Sequence, residues 1–535
     1  MAELKKDLGK SYKFIKASAT NHDGNKPENV IDGGYATRWS SEVNGAELTL
    51  ELDGICAVNY LGIACFKGAE RKTMIGVSVS EDGVSYKRVI EKTETPQRSD
   101  MSPIPLGGTY NAKFIKIHGY GNTESNWTSI CNVIAYAPQP DGSMPVDPNG
   151  PKTACYEDLS DEVKVALTKV DKYFDRVMPW LAHMYDHETH GFHMAMSGKL
   201  DPEMQPAIEM TCWAIAFISG YSDAMKSMPE DFRQNLIKFF QDRQDPETGL
   251  FIDKQGPTNA REQARNQDSG LGALGTLKAS PLYPHPRQSS SAKTTTDMPL
   301  MPDYMKSAET YIKWVSSLDW ENNSWGAGDQ TQASQQYIRM LSQEKQDEYT
   351  SVLFEWLKNK QFENGLWSSR INFNSVSGAF KVGLIYNLWG KILPNYDTII
   401  DTIFYCYTID KTSSPFFVRN PLSVMLTMTS YSDDAKKKIQ DGVVKHIDAV
   451  TASFGDFLCP DGAFSASKGK SMISFGGVKG SHGLYEGDID ATLMMLIARK
   501  CIYAIFDVKT PPLSAADFWD WISGKKPLPE IYVTE

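Results

Sequence analysis

Ala46-Glu47-Leu48-Thr49-Leu50-Glu51-Leu52 alternates apolar and polar residues with a period of two. Successive side chains of an extended strand point to opposite faces. The pattern therefore predicts a strand with Ala46, Leu48, Leu50 and Leu52 turned inward and its acids turned to water. Working outward, Ile75-Gly76-Val77-Ser78-Val79-Ser80 repeats the alternation, and Ala112-Lys113-Phe114-Ile115-Lys116-Ile117 does so less strictly. Glu81-Asp82-Gly83 is a turn signal between strands. Several short strands with regular turns predict an all-β sandwich over residues 10–138.

The same region resembles a known family. Ala17-Ser18-Ala19, Asn29-Val30-Ile31-Asp32-Gly33 and Ala36-Thr37-Arg38-Trp39-Ser40 are similar to the opening of a discoidin domain, the coagulation factor five/eight type C module. Ser80-Glu81-Asp82-Gly83-Val84-Ser85-Tyr86 resembles its central strand and turn. Phe114-Ile115-Lys116-Ile117 and Gly121-Asn122-Thr123-Glu124-Ser125-Asn126-Trp127-Thr128-Ser129-Ile130 resemble its end. Matches in this order are far more specific than one short motif. The subtype, with Gly68-Ala69-Glu70-Arg71-Lys72, is similar to modules that accompany polysaccharide lyases. The resemblance implies a carbohydrate-binding role, with His22, Lys67, Arg71 and Trp127 as loop residues for sugar contact. It also implies a structural calcium at Asn21, Asp23, Asn29 and Asp32, which offer hard oxygen ligands. Here Asn132 stands where the family usually has Glu before the last strand.

The chain has 535 residues, enough for two to four domains, and 41% of them are hydrophobic. A net charge of -11 argues against a nucleic-acid protein, which needs a basic face to displace counterions. A local basic groove for an anionic sugar polymer remains compatible with it. No apolar run approaches the ~18 residues of a membrane span. Met1-Ala2-Glu3-Leu4-Lys5-Lys6-Asp7 is polar, unlike a signal peptide. The expectation is an extracellular or cell-envelope protein whose signal is not in this sequence. The 8 cysteines show no Cys-x-x-Cys spacing and are expected to be small buried hydrophobes.

Residues 139–152, rich in Pro, Gly and Asp, have a linker composition. Beyond them, from residue 153 to 535, the apolar spacing becomes helical, as in Asp161–Met178, Phe232–Gln241, Ala308–Leu318, Gln346–Leu357, Val382–Trp389 and Ala491–Tyr503. A glycine-plus-aromatic turn recurs between these helices: Asp186–Phe192, Asp245–Phe251, Glu321–Gly326, Glu363–Trp367, the degenerate Ser414–Phe417, and Pro460–Phe464. Small residues such as Val376-Ser377-Gly378-Ala379 follow the turns and let inner helices crowd together. Repeated helical hairpins predict an all-α (α/α)6 toroid. This resembles the barrels of glycosidases and polysaccharide lyases, and the toroid of terpene cyclases and prenyltransferases.

In such a ring, polar residues near the turns or at inner-helix starts face the central cavity. The catalytic candidates are His193, Asp329, Arg370, Asn372, His482, Tyr485, Glu486, Asp488 and Asp490, with Asn374 and Trp367 as further substrate contacts. A lyase that expels the 4-oxygen of a uronic acid needs a neutraliser and an acid/base, types that Arg370, Asn372, Asn374, His482 and Tyr485 supply. A hydrolase needs two carboxylates, for which Asp329, Glu486, Asp488 and Asp490 qualify. Asp488-Ile489-Asp490-Ala491 resembles the Asp-x-Asp-Asp acid motif of class II terpene cyclases, with Ala491 in place of the last acid. The expected function is a polysaccharide lyase on a uronate-containing glycan, with a glycoside hydrolase or a non-catalytic glycan-binding protein as alternatives. No cofactor is required, the calcium being structural.

Overall fold

Ala46, Leu48, Leu50 and Leu52 do turn inward, and the strand they begin runs on to Cys65. A computed structural model describes residues 10–33, 37–68, 70–96, 101–138, 156, 159–253, 255, 260–285 and 301–531. The chain divides into two units, Met1–Cys155 and Tyr156–Glu535. The linker expected at 139–152 falls outside the described residues, as do Ala36 and Ala69 of the quoted motifs.

The first unit contains β1 (Ser11–Tyr12), β2 (Phe14–Ala19), β3 (Trp39–Ser41), β4 (Ala46–Cys65), β5 (Thr73–Ser80), β6 (Lys87–Glu94), β7 (Ser102–Asn122) and β8 (Thr128–Tyr136). They form an antiparallel network in the order β1-β8-β4-β7-β5-β6, with β2 added on β4 and β3 on β8. β4 pairs with β7 over Ala46–Glu51, shifts register, and resumes pairing at Cys56. From Tyr60 it also pairs with β8. These long, irregular strands wrap one sheet into a sandwich-like unit. Trp39, Leu48, Leu50, Ile63, Val77 and Ile117 fill its core, each with essentially no exposure. Each such burial is worth about 1.5–3 kcal/mol before entropy is charged. On the other face Glu47 pairs with Lys116 at 2.8 Å and Glu51 with Lys113 at 3.3 Å across β4 and β7.

The second unit is helical. The helix Phe373–Leu388 packs on Ser324–Ile338 on one side and on Pro415–Met428 on the other. Pro415–Met428 packs on Ile489–Ile505, which packs on Ile208–Gly220, which packs on Ala260–Thr276. Crowding at the small residues is real: a Cβ on Gly378 would stand 2.1 Å from Ser324 Oγ. Amphipathic helices such as Glu230–Gln241 and Asp433–Lys445 alternate with these along the chain. Asp161–Met178 is not one helix. It ends at Asp171, and a new helix spans Val177–Met184. Between them Phe174 turns into the core against Phe454 and Phe464.

The recurring turns share a geometry. Tyr185 bridges Phe192, Gln244 bridges Phe251 and Leu458 bridges Phe464. Each is a miniature hairpin that drives its aromatic ring into the core, where Phe192, Phe251 and Phe464 are fully buried. Among the described residues no helix is long and apolar enough to cross a membrane.

Candidate active site

Two carboxylates occupy equivalent places on neighbouring helices. Glu209 is the second residue of Ile208–Gly220, and Asp490 is the second residue of Ile489–Ile505. The start of each helix is fixed by another acid. Asp488 is the N-cap of the later helix, accepting from Ala491 N at 2.8 Å. Asp253 accepts from Ile208 N at 2.9 Å. Both are buried, and burial pushes each up to about 6.

Asp490 differs from Asp488. Asp488 also accepts from Ala466 N and Met472 N, so its oxygens are used. Asp490 is 1% exposed, and its Oδ2 has no hydrogen-bond partner. Burial, reinforced by the charges of Asp488 and Glu209, pushes it up to about 8 against the pull of Arg265 and Arg419. Its environment favours the protonated acid.

Glu209 is held by Arg265, whose Nη2 and Nε donate at 2.6 and 3.0 Å. A short hairpin, Ser474–Phe475 paired with Val478–Lys479, covers this pair. Gly476 and Gly477 turn it with positive φ, and a Cβ on Gly476 would lie 3.3 Å from Glu209 Oε2. Phe475 lies under the Arg265 guanidinium at 4.5 Å and against Trp213 at 4.8 Å. His193 lines a pocket with Gln205, Met210, Phe475 and Val478. Burial holds it down at about 4 despite Asp186 at 3.8 Å, so it is a neutral imidazole.

Arg419, on Pro415–Met428, completes the charged set. Its guanidinium stands 5.0 Å from the Phe380 ring centroid. Its Nη2 reaches only Met494 Sδ at 3.7 Å, and its buried Nε has no partner.

The other expected residues are placed as follows. Glu486 is fully buried and accepts from Ser197 N, Ser197 Oγ and Ser471 Oγ. Ser197 Oγ also accepts from His482 N, and a Cβ on the adjacent Gly198 would meet Gly480 O at 1.9 Å. Glu486 thus fastens the short helix Met196–Leu200 to the segment that carries Ser471. His482 Nε2 contacts Asp201 at 2.9 Å, and Tyr485 is exposed. Asn372 is a helix N-cap, accepting from Ser375 N. Asn374 accepts from Trp325 N. Arg370 is exposed, 3.8 Å from Glu321. Asp329 pairs with Lys381 at 2.7 Å, which lies near Trp325 and Phe380. Trp367 is corrected to a core residue: it is fully buried and donates to Leu357 O, so no ring face is left for a sugar. Arg370 stands by Glu321 while His482 meets Asp201, so these two candidates have separate partners. Glu209, Arg265 and Arg419 were missed, although a signal existed. Glu209 is the one charge in IEMTCWAIAFISG, and Arg419 the one charge in PFFVRNPLSVMLTM.

In the first unit, Phe66 carries Arg38 at 4.1 Å and Arg71 at 5.9 Å. Lys67 pairs with Glu70 at 3.2 Å. His22 Nδ1 accepts from Gly24 N, and Trp127 is half-buried. Asp23 accepts from Ser40 Oγ and Asn25 N, and Asn21 from Ser41 Oγ. Asn29 donates to Arg38 O, and Asp32 accepts from Thr37 Oγ1.

Residues 14–133 match the F5/8 type C domain, and the first unit is a domain of that kind. Among solved structures the chain is similar to a truncated AlyQ with CBM32 and alginate lyase domains. That likeness has 30% identity, a TM-score of 0.23, and covers 24% of this chain and 33% of that one. It is equally similar to the CBM32 of AlyQ in complex with 4,5-unsaturated mannuronic acid, at 30% identity and a TM-score of 0.23, covering 24% and 98%. A pectin-binding carbohydrate-binding module gives 26% identity and a TM-score of 0.22, covering 23% and 91%. The chain therefore spans a third of the truncated AlyQ, and the likeness falls on the binding domain. No curated protein matches by sequence.

Proposed function

We propose that this chain is a carbohydrate-active enzyme of the extracellular space or cell envelope. Its F5/8 type C domain holds a polysaccharide, and its helical unit cuts glycosidic bonds. The helical unit fits an (α/α)6 toroid because six helices succeed one another as packed neighbours from Ser324–Ile338 round to Ala260–Thr276.

One observation carries the catalytic reading. Asp490 is a buried carboxyl group, pushed up to about 8, with an oxygen left without a partner. It stands close enough to Glu209 to feel its charge. Glycoside hydrolysis needs one carboxyl group as acid and a second as base or nucleophile. Asp490 would donate its proton to the departing glycosidic oxygen. Glu209, held in place by Arg265, would act on the anomeric side as base or nucleophile. The trapped hairpin residue Phe475 and Trp213 would stack on sugar faces.

β-Elimination is a second reading, favoured by His193. A neutral imidazole in a pocket can take the proton beside a uronate carboxylate while an arginine neutralises that carboxylate. The calcium remains a proposal of its own: Asn21, Asp23, Asn29 and Asp32 supply the right oxygen chemistry, part of it already spent on Ser40, Ser41 and Thr37.

The test is a polymer panel, neutral and uronate-containing, incubated with the full chain. Hydrolysis gives new reducing ends without the ultraviolet absorbance of a 4,5-unsaturated product; elimination gives both. Binding without cleavage of any polymer would leave a glycan-binding protein and overturn the enzyme reading.

A further inference from the structure

The end of the helix Tyr396–Ile409 and the helix Ile447–Gly455 leave a cleft of about 330 Å³ between them. Ligand pockets run from ~300 to ~1,000 Å³, so the cleft has room for a sugar. It shares no lining residue with the pocket of His193. Asp410 ties the cleft to the helical framework. Its Oδ2 accepts from Phe373 N at 2.9 Å and fixes the start of the helix Phe373–Leu388, as Asp253 does for Ile208. Asp456 ties the cleft to a loop of the candidate active site. It takes Lys468 at 2.6 Å, and the segment that carries Lys468 runs on to Ser471, which donates to Glu486, and to Phe475 at the Arg265 guanidinium.

The lining mixes apolar Ile409, Ala449 and Ala452 with polar Asp410, Lys411, Ser453 and Asp456. Its charges balance, Asp410 and Asp456 against Lys411 and the Lys468 that bridges to Asp456. A sugar carboxylate here would meet two acids, and a sugar amine would meet two lysines. An uncharged polyol escapes both penalties, because each hydroxyl donates and accepts. Acceptors remain for it. Asp456 spends Oδ2 on Lys468 and keeps Oδ1, and Ser453 Oγ donates to Ala449 O and can still accept. Lys411 supplies ammonium donors. Beside these groups stands an aromatic ring in water. Tyr405 is 54% exposed, and its neighbours one turn on, Thr408 and Ile409, line the cleft. An exposed ring next to a half-polar cleft is the platform on which a sugar face stacks.

We infer that this cleft is a second glycan-binding site, carried by the helical unit, and that it takes an uncharged sugar residue. It goes beyond the proposed cleavage site, since Glu209, Asp490 and His193 are absent from its lining. It needs glycan recognition by the helical unit and no bond cleavage. A polymer held there is anchored outside the pocket of His193, by neutral residues.

The test uses the full-length protein with maltohexaose, cellohexaose and mannohexaose as neutral probes and hexagalacturonate as the acidic one, read by hydrogen–deuterium exchange. At least one neutral probe is expected to slow exchange over residues 405–411 and 449–456, which binding to the first unit alone does not touch. Ala452→Trp fills the cleft from an exposed position and should abolish that protection. Asp456→Asn should weaken binding at these segments by about tenfold, the worth of one hydrogen bond to a charged group. Circular dichroism and melting report whether each variant is folded, and Asp456→Asn serves if Ala452→Trp is not. No protection of these segments by any neutral probe would overturn the inference. So would undiminished protection in the folded variants, or stronger protection by hexagalacturonate than by every neutral probe. Protection here with no polymer cleaved would sink the enzyme reading alone. Cleavage of a polymer with these segments unprotected would sink the second site alone.

Discussion

Asp488 and Asp490 stand two residues apart at one helix start, and their carboxylates are used in opposite ways. Asp488 accepts three backbone N–H groups, from Ala466, Met472 and Ala491. Asp490 Oδ2 accepts none. The first is therefore an architectural acid, and the second has an oxygen left for the proposed chemistry, although a sequence motif presents them as equals.

Asp490→Asn should cut turnover by about 10²–10⁴-fold while leaving substrate affinity nearly unchanged, since a general acid acts only in the transition state. Steady-state kinetics on whichever polymer the panel identifies checks this. The same substitution should change the stability profile. A group raised to about 8 from 3.8 makes the folded state hold a proton that the unfolded chain releases. Stability therefore falls as pH rises between those values. Melting temperature across that range should be flatter in Asp490→Asn than in wild type.

Asp488→Ala should destabilise by about 1–3 kcal/mol, because it removes a cap and orphans buried N–H groups. Urea denaturation reads the loss. A turnover defect in Asp488→Ala without a stability defect would contradict the division of labour between the two acids.

His193→Gln addresses the acid side. Burial holds His193 down at about 4, below its unfolded value of 6.5. Its neutral form stabilises the fold above that unfolded value, and the stabilisation is lost as pH falls towards 4. Wild type should lose stability over this window and His193→Gln should lose less. If elimination is the reaction, turnover in His193→Gln should also fall about 10²-fold or more; under hydrolysis it should change far less.

Arg71→Ala in the first unit should weaken retention on a polysaccharide column. Its activity on a short soluble oligosaccharide should match wild type, because the substitution lies on the binding domain. Equal losses in both assays would assign Arg71 a structural role.

What the sequence revealed depended on periodicity. Leu48 and Leu50 were legible because a strand with one wet face alternates, and Phe192 and Phe251 because their turns repeat. Glu209 and Arg419 were illegible to motif and turn reasoning because they lie inside apolar helices, where a pattern built on hydrophobic faces registers them as interruptions. The Arg370, Asn372 and Asn374 cluster looked reactive by residue type. Capping gives Asn372 its place, and no sequence spacing distinguishes a cap from a catalytic amide. The break after Asp171 was invisible because Phe174 continues the apolar period while the chain changes direction.

The clamp of Glu486 on Ser197, together with the contact of Gly198 on Gly480, has a dynamic consequence. The segments around residues 197 and 481–486 share buried bonds and cannot swing separately. Any motion of either one must move them as a single plate. Amide protons on both segments would then exchange at a common rate, and a Cβ at position 198 would pry the plate apart.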